Sequence, residues 1–364
     1  MSKKESSKIF ILTNTLKTGG AEKQSVFLAN ALQKEFQTTL VVYYGNQCDN
    51  KLFKIAEAYN INVERLSGSH LNKCIRLLKM FRLGKPAVVF SYLATTNLIN
   101  AIIGTLGKAS LKIGGIRSSQ ISPFKLFVQR FLHNHFLTAS VFNNYAGLNL
   151  LSTKGFKPEK AIVIPNCINI KAQPIQRPEK ELVQILSMGR FVESKDYQTA
   201  LLSIKELTKN QSLAKGYRYL IIGYGKLENE IRNLIQEYEL TTLVSIVINP
   251  DNTEQFLRES DIFLSTSVYE GLSNAIMEAM EYSLPVIATD VGDNDKLVLD
   301  NKTGFLVTAK DTHSISDRIS ELINSSEMRN KMGEQAYRHL MKNYSEEAFK
   351  SQYLNLIENL SDEK

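Results

Sequence analysis

No run of about 18 apolar residues occurs anywhere in this 364-residue chain, so no segment reads as a membrane-crossing helix. Cysteine is scarce. Cys48, Cys74 and Cys167 show neither metal-ligand nor paired spacing, which argues against a disulfide-stapled secreted domain and for a reduced, cytoplasmic setting. The opening Met-Ser-Lys-Lys-Glu-Ser-Ser-Lys leads straight into a strand pattern and does not read as a signal peptide. The five histidines are scattered, and no His, Cys or Asp grouping has metal-ligand spacing. Ser, His and Asp form no nucleophile-elbow pattern.

The most telling absence is of negative charge. From Leu71 to Pro158 there is no Asp or Glu, against twelve Lys and Arg. Residues 1–170 carry 22 basic and 7 acidic residues, a net charge of +15, and the remainder carries 22 and 30, a net charge of −8. The overall +7 conceals this asymmetry. A one-sign block in a folded domain points to an anionic partner. Nucleic acid is one candidate, but no recognition motif for it is present. An anionic membrane surface fits better, since each Lys or Arg near one contributes about 1 kcal/mol. Two segments support it. In Leu71–Leu83 the apolar residues 71, 74, 75, 78 and 81 make a helical stripe, with Lys73, Arg76, Lys79 and Arg82 off it. Ser122–Leu137 is a second basic, aromatic-rich helix with Pro123 in its first turn. Amphipathicity alone does not separate such helices from ordinary surface helices; the regional charge favours the membrane.

What is present fits a globular protein. An apolar content of 43% and a charged content of 22% suit a soluble protein long enough for two domains. Strand patterns fall near 8–13, 38–44, 87–91, 111–116, 139–143 and 161–164, then near 182–188, 217–223, 243–248, 261–265, 285–288 and 304–307. Helical patterns lie between them, including 21–36, 95–106, 196–209, 226–237, 273–281 and 311–323. This alternation predicts two doubly wound α/β domains with parallel sheets, at residues 1–168 and 181–344. Residues 169–180, with Pro174, Pro178 and few apolar residues, read as a linker, and 345–364 as a terminal helix. Ligands of such sheets bind at the carboxyl ends of the strands.

One stretch carries the most chemical information: Val268-Tyr-Glu-Gly-Leu-Ser-Asn-Ala-Ile-Met-Glu-Ala-Met280. It follows a strand pattern and opens a helix near Ser273. The amides of Gly271, Leu272, Ser273 and Asn274 would face outward at the positive end of the helix dipole, a ready site for a diphosphate. Glu270 precedes the helix, and Glu278 lies roughly 8–9 Å along it. Each carboxylate can accept hydrogen bonds from sugar hydroxyls, one from a ribose and one from a hexose. Arg190 and Lys195 follow another strand and would neutralise charge on a departing diphosphate. Gly19-Gly20, Gly189 and Gly223-Tyr-Gly225 sit at strand ends where backbone can approach a ligand closely; each is a weak signal by itself.

The Glu270–Glu278 segment resembles the Glu-x7-Glu motif of retaining glycosyltransferases of the GT-B fold, family 4. Thr18-Gly-Gly-Ala-Glu22, Val163-Ile-Pro-Asn-Cys-Ile168, Gly189-Arg190 with Lys195, Ile221-Ile-Gly-Tyr-Gly225 and Leu284-Pro-Val-Ile-Ala288 are similar to other stretches of that family, in its order. The resemblance spans nearly the whole chain and is looser in the first half. It implies two Rossmann-like domains facing across a cleft, with the final helix crossing back to the first domain. It places Glu270, Arg190 and Lys195 at the chemistry. Gly20, Gly189, Gly223, Gly271, Leu272, Ser273, Asn274 and Glu278 would bind the donor, with Glu278 on the ribose. It implies a nucleoside diphosphate sugar, UDP foremost, as donor, a glycan or polyprenyl-diphosphate-linked acceptor, and no cofactor or metal, although Asp293-Asn-Asp295 mimics a metal motif. Val247–Asn252 lacks a glycine common in the family's base-contacting stretch. Many relatives carry a first-domain histidine near the transferred sugar; Phe90–Asn97 contains none, and Tyr92 or Asn97 is the expected substitute. A sugar-nucleotide epimerase and a silent binding subunit remain as alternatives.

Overall fold

The structure is a computed structural model that describes residues 7–17, 19–48, 50–117 and 122–362. The chain divides into two compact units. One comprises Met1–Cys167 with Glu346–Lys364, and the other Ile168–Ser345.

Seven strands run through the first unit: β1 (Lys8–Thr13), β2 (Gln37–Val42), β3 (Asn62–Arg65), β4 (Val88–Tyr92), β5 (Leu111–Ile116), β6 (Ala139–Phe142) and β7 (Ala161–Val163). They form one parallel sheet in the order β3-β2-β1-β4-β5-β6-β7. Side chains alternate across it, as the period of a strand dictates. Ile9, Ile11, Leu40 and Phe90 share a core with the helices Gly20–Leu32 and Glu346–Asp362, the latter through Phe349 and Tyr353. Phe10, Leu12, Val41 and Val89 pack on the opposite face with Leu77 and Phe81 of helix His70–Gly84, and with Ile99 and Ile103.

The second unit has six strands: β8 (Leu182–Arg190), β9 (Gly216–Tyr224), β10 (Val244–Ile248), β11 (Ile262–Ser265), β12 (Val286–Thr289) and β13 (Gly304–Val307). Their order is β10-β9-β8-β11-β12-β13, again all parallel. In both sheets the chain winds outward from a central strand, then returns to its other side. The switch falls between β1 and β4 in one unit and between β8 and β11 in the other, and switch points are where such sheets open a crevice for ligands.

Among the elements that the sequence patterns miss, two show why. Strand β3 reads Asn-Val-Glu-Arg, has no buried residue and lies at the sheet edge, so no hydrophobic alternation announces it. Helix Ser326–Tyr344 buries Arg329 and Gly333 along with Met332, Ala336, Tyr337 and Leu340, which blurs its apolar stripe.

Residues 169–180 are not a free tether. Their polar composition conceals Arg177, buried, whose guanidinium donates to the carbonyls of Ser260 (2.6 Å), Ser283 (2.9 Å), Tyr282 (2.7 Å) and Leu257 (3.3 Å). These are carbonyls at the ends of helices Glu254–Glu259 and Asn274–Glu281, which lack partners within their helices. Glu281 accepts the amides of Lys171 (2.7 Å) and Ala172 (3.2 Å), so the segment braces the helix that carries Glu278.

His133 is fully buried under the first sheet. Its Nε2 faces the Lys157 carbonyl (2.9 Å), which can only accept, so Nε2 carries the proton and Nδ1 accepts from the Ser140 hydroxyl (2.8 Å). Burial pushes this imidazole below its ordinary value of 6.5. The folded state therefore resists a proton that the unfolded chain takes up, and stability should decline as the pH falls below about 6.5. Thermal midpoints of the protein and of His133→Gln across that range should show a flatter profile for the variant. Parallel profiles would show that His133 is not the group responsible.

Candidate functional site

The switch point of the second sheet brings two loops together. After β8 the chain passes through Val192 and the 3-10 turn Glu193–Lys195 to Asp196. Asp196 adopts a left-handed backbone, φ +47°, and caps helix Tyr197–Leu207 by accepting from the Thr199 amide (3.3 Å) and hydroxyl (2.7 Å). After β11, the Thr266 hydroxyl contacts the Lys195 (3.1 Å) and Asp196 (2.9 Å) carbonyls, and the Val268 amide donates to Ser194 (2.9 Å). These bonds fix the register of one loop on the other.

The result is an ion pair between Lys195 and Glu270, both largely shielded from solvent. The Ser267 hydroxyl donates to the same carboxylate oxygen at 3.0 Å. Gly189 opens room for the lysine stem: a Cβ there would lie 3.2 Å from Lys195 Cε. Gly223 pairs with Gly189 in register, and any side chain at 223 would overlap the Gly189 carbonyl oxygen, so its need is close strand packing. Tyr197, also lining the floor beneath Lys195, has its hydroxyl pushed up by burial, with Tyr219 and Glu270 adding to the effect.

Beyond Glu270, Ser273 caps helix Asn274–Glu281 by accepting from the Ile276 amide at 3.5 Å, a long bond. The segment Gly271–Asn274 thus forms the helix start, as its sequence predicts, with Asn274 exposed, Leu272 half-buried and Ser273 buried. The loop after β12 supports it from behind. Asp293 donates its amide to the Gly271 carbonyl (3.1 Å), Thr289 donates its hydroxyl to the Ser267 carbonyl (2.5 Å), and Asn294 donates to the Thr289 carbonyl (2.9 Å). Gly292 has φ +63°, and a Cβ there would overlap the Glu270 carbonyl oxygen. Sequence reasoning singled out none of Thr266, Ser267, Thr289, Gly292 and Asn294 as site residues. Only Gly292 carries a usable signal, a glycine in a tight loop after a strand. Glu278 is half-buried one helical turn past Asn274, and Arg190 is exposed as the last residue of β8. Asp293 is buried at the start of the turn Asn294–Leu297, while Asp295 pairs with Lys296. Among the described residues no group of three or more His, Cys, Asp or Glu could hold a metal.

In the first unit Gly20 is exposed as the first residue of helix Gly20–Leu32, with nothing within 4 Å of where a Cβ would point. Neither expected substitute for a histidine is available. Asn97 is fully buried: its amide nitrogen donates to the Gly115 carbonyl (3.0 Å) and to Gln129 (2.7 Å), and its oxygen accepts from Ser91 (2.8 Å) and the Gly115 amide (3.2 Å). Tyr92 is also buried, under the Arg117 guanidinium at 4.5 Å. Both hold the sheet together. The residue that follows, Leu93, has φ +74° at the end of β4, a conformation a leucine adopts only where its surroundings impose it.

Helix His70–Gly84 also corrects an expectation. Lys73 does not face outward. It is 7% exposed, and its ammonium lies 5.0 and 4.9 Å from the ring centres of Tyr43 and Tyr44. The buried stripe is Lys73, Leu77 and Phe81, rotated from the one read in the sequence, because the aromatic pair accepts a cation where an apolar residue was expected. Arg76, Lys79 and Arg82 are exposed, and Arg76 pairs with Glu64.

Residues 169–339 match the family Glycosyl transferases group 1. That span, just under half of the chain, is similar to this family. The match takes in the Lys195–Glu270 pair and the Glu278 helix, and the protein is a glycosyltransferase. Its sequence is 22% identical to the lipopolysaccharide core biosynthesis glycosyltransferase LpsE of Rhizobium meliloti, covering 94% of this chain and 96% of that one. It is 25% identical, over 96% and 98%, to a Campylobacter jejuni α-1,4-N-acetyl-D-galactosaminyltransferase named for a diphospho-undecaprenol-linked glycan. The fold matches that of Anabaena HepE in complex with UDP, at a TM-score of 0.80 and 16% identity, covering 97% of this chain and all of that one. It also matches TarM, at 0.77 and 14%, covering 96% and 98%. The architecture is GT-B.

Proposed function

We propose that this glycosyltransferase is retaining and moves a hexose from a UDP-sugar to a glycan carried on polyprenyl diphosphate, at the inner face of the cell membrane. The observation that carries the reading is the Lys195–Glu270 pair beside the start of helix Asn274–Glu281 at the switch point of the second sheet. The amides of Gly271, Leu272, Ser273 and Asn274 supply donors for a diphosphate. Lys195 and Arg190 add positive charge that is worth most as the bond to the leaving group breaks. Glu278 accepts from the ribose hydroxyls, and Glu270 from the hexose. The sugar's C1–O bond to the diphosphate breaks, and a bond from the acceptor oxygen to C1 forms on the same face. The acceptor proton passes to the departing phosphate oxygen, so no protein nucleophile is required. UDP as carrier is supported by the UDP and UDP-glucose complexes of HepE, and a lipid-linked glycan acceptor in surface polysaccharide or glycoprotein glycan assembly by the name of the Campylobacter relative.

The test is a thermal-shift panel of UDP-, GDP-, ADP- and dTDP-sugars with and without EDTA. Selective stabilisation by the UDP compounds, unchanged by EDTA, is the expected outcome. A preference for another nucleotide would refute the donor assignment. Glu278→Ala should weaken UDP binding roughly tenfold, the scale of a lost charge-assisted hydrogen bond; calorimetric affinity equal to the parent's would remove the ribose assignment.

A further inference from the structure

Among the described residues, twelve of eighteen exposed large apolar side chains lie between Leu71 and Leu150, under a quarter of the chain. That is nearly the same stretch as the acid-free one. The coincidence is not scattered over the surface. On helix His70–Gly84 the exposed apolar residues are Leu71 and Ile75, one turn apart, and Leu83 in its last turn. The next helix, Leu93–Ile99 with its continuation, exposes Leu98, Ile102 and Leu106, again one turn apart. Helix Pro123–His135 exposes Phe124, Phe127 and Phe131, spaced three and four residues apart, with Phe124 76% exposed.

These three helices cover the same face of the first sheet. Leu77 and Phe81 of the first meet Ile99 and Ile103 of the second in one cluster. Ala101 of the second meets Leu132 of the third in another, and Asn97 bonds to Gln129 across the same junction. Their outward sides therefore adjoin. Lys79, Arg82, Lys108 and Lys125 are exposed on or beside them.

We propose that this three-helix face binds an anionic lipid bilayer. The phenylalanines of helix Pro123–His135 enter the headgroup boundary, and the surrounding cations meet lipid phosphates. Charge decides the occupant. A second copy of the chain would bring the same acid-free surface against itself, placing cation opposite cation. A neutral apolar partner would leave the cations uncompensated. The inference rests on the membrane location proposed above and names the surface that would deliver it.

The experiment is co-sedimentation of the full chain with phosphatidylglycerol vesicles, with phosphatidylcholine vesicles as the neutral control. Combined Phe124→Ser, Phe127→Ser and Phe131→Ser should lower partition into phosphatidylglycerol vesicles at least about tenfold. Combined Lys79→Gln, Arg82→Gln and Lys125→Gln should lower it by about fivefold per charge and remove the preference over phosphatidylcholine. Both triple variants alter exposed positions, and an unchanged thermal midpoint with UDP confirms that they fold. Binding by the parent that neither variant weakens would overturn this surface while leaving the membrane location standing. No binding by the parent to either vesicle would overturn both. A parent that dimerises in solution through the phenylalanines and ignores vesicles would reassign the face to a second copy.

Discussion

Replacing Lys195 by Ala is expected to lower kcat by about 10²–10³-fold, the scale measured when one preorganised donor is removed from charge developing in a transition state. The Lys195 side chain is held from both sides, by Glu270 in front and by the gap over Gly189 beneath its stem. Such preorganisation costs nothing at the moment of reaction. In the proposed reaction the leaving diphosphate gains charge as the sugar departs, so kcat and kcat/KM should fall together, with a smaller change in UDP affinity. Lys195→Arg keeps the charge but not the point geometry and should recover only part of the rate. A kcat equal to the parent's in Lys195→Ala, at an unchanged thermal midpoint, would remove Lys195 from the chemistry. A change confined to KM would make it a binding residue.

The second large effect is expected at a position with no functional group. Gly292→Ala should destabilise the second unit by roughly 3 kcal/mol, combining about 1–2 kcal/mol for a Cβ in the left-handed region with its overlap on backbone. At about 2–4 °C per kcal/mol for a unit of this size, the midpoint should drop by roughly 6–12 °C. The overlap is with the carbonyl of Glu270, so relief requires the loop carrying that carboxylate to shift. Transfer should therefore be reduced even well below the midpoint. Calorimetric melting with activity measured at low temperature separates the two effects. Full activity in the cold would show that the loop tolerates displacement.

The parallel sheets were legible because βα alternation and runs of buried Val, Ile and Leu are strong, local signals. Strands β1, β5, β9 and β11 lie where the apolar runs predict them, and Ser273 caps the helix that its position before Asn274 suggests. What escaped has one cause in common: polar residues that are satisfied inside. Arg177 made a structural brace resemble a linker, Lys73 over two tyrosines rotated the apparent stripe of helix His70–Gly84, and Asn97 looked available for chemistry although all its hydrogen-bonding groups are used. A buried polar group reveals itself only through partners distant in sequence. The same holds for the candidate site. Glu270, Lys195 and Gly271 stand in recognisable motifs, whereas Ser267, Thr289 and Gly292 matter only because the sheet order places β8, β11 and β12 side by side.

Helix Glu346–Asp362 has a consequence for how the molecule comes into being. Phe349, Tyr353, Leu356 and Ile357 belong to the core around Ile9, Val26 and Phe90, yet the whole second unit is encoded between them. On the ribosome, residues 168–345 therefore emerge complete while the first-made half still waits for its closing helix, so the order of maturation can run opposite to the order of synthesis. Until then, the surface that Phe349 and Tyr353 will cover lies open, and that interval is when a nascent chain has most need of a chaperone.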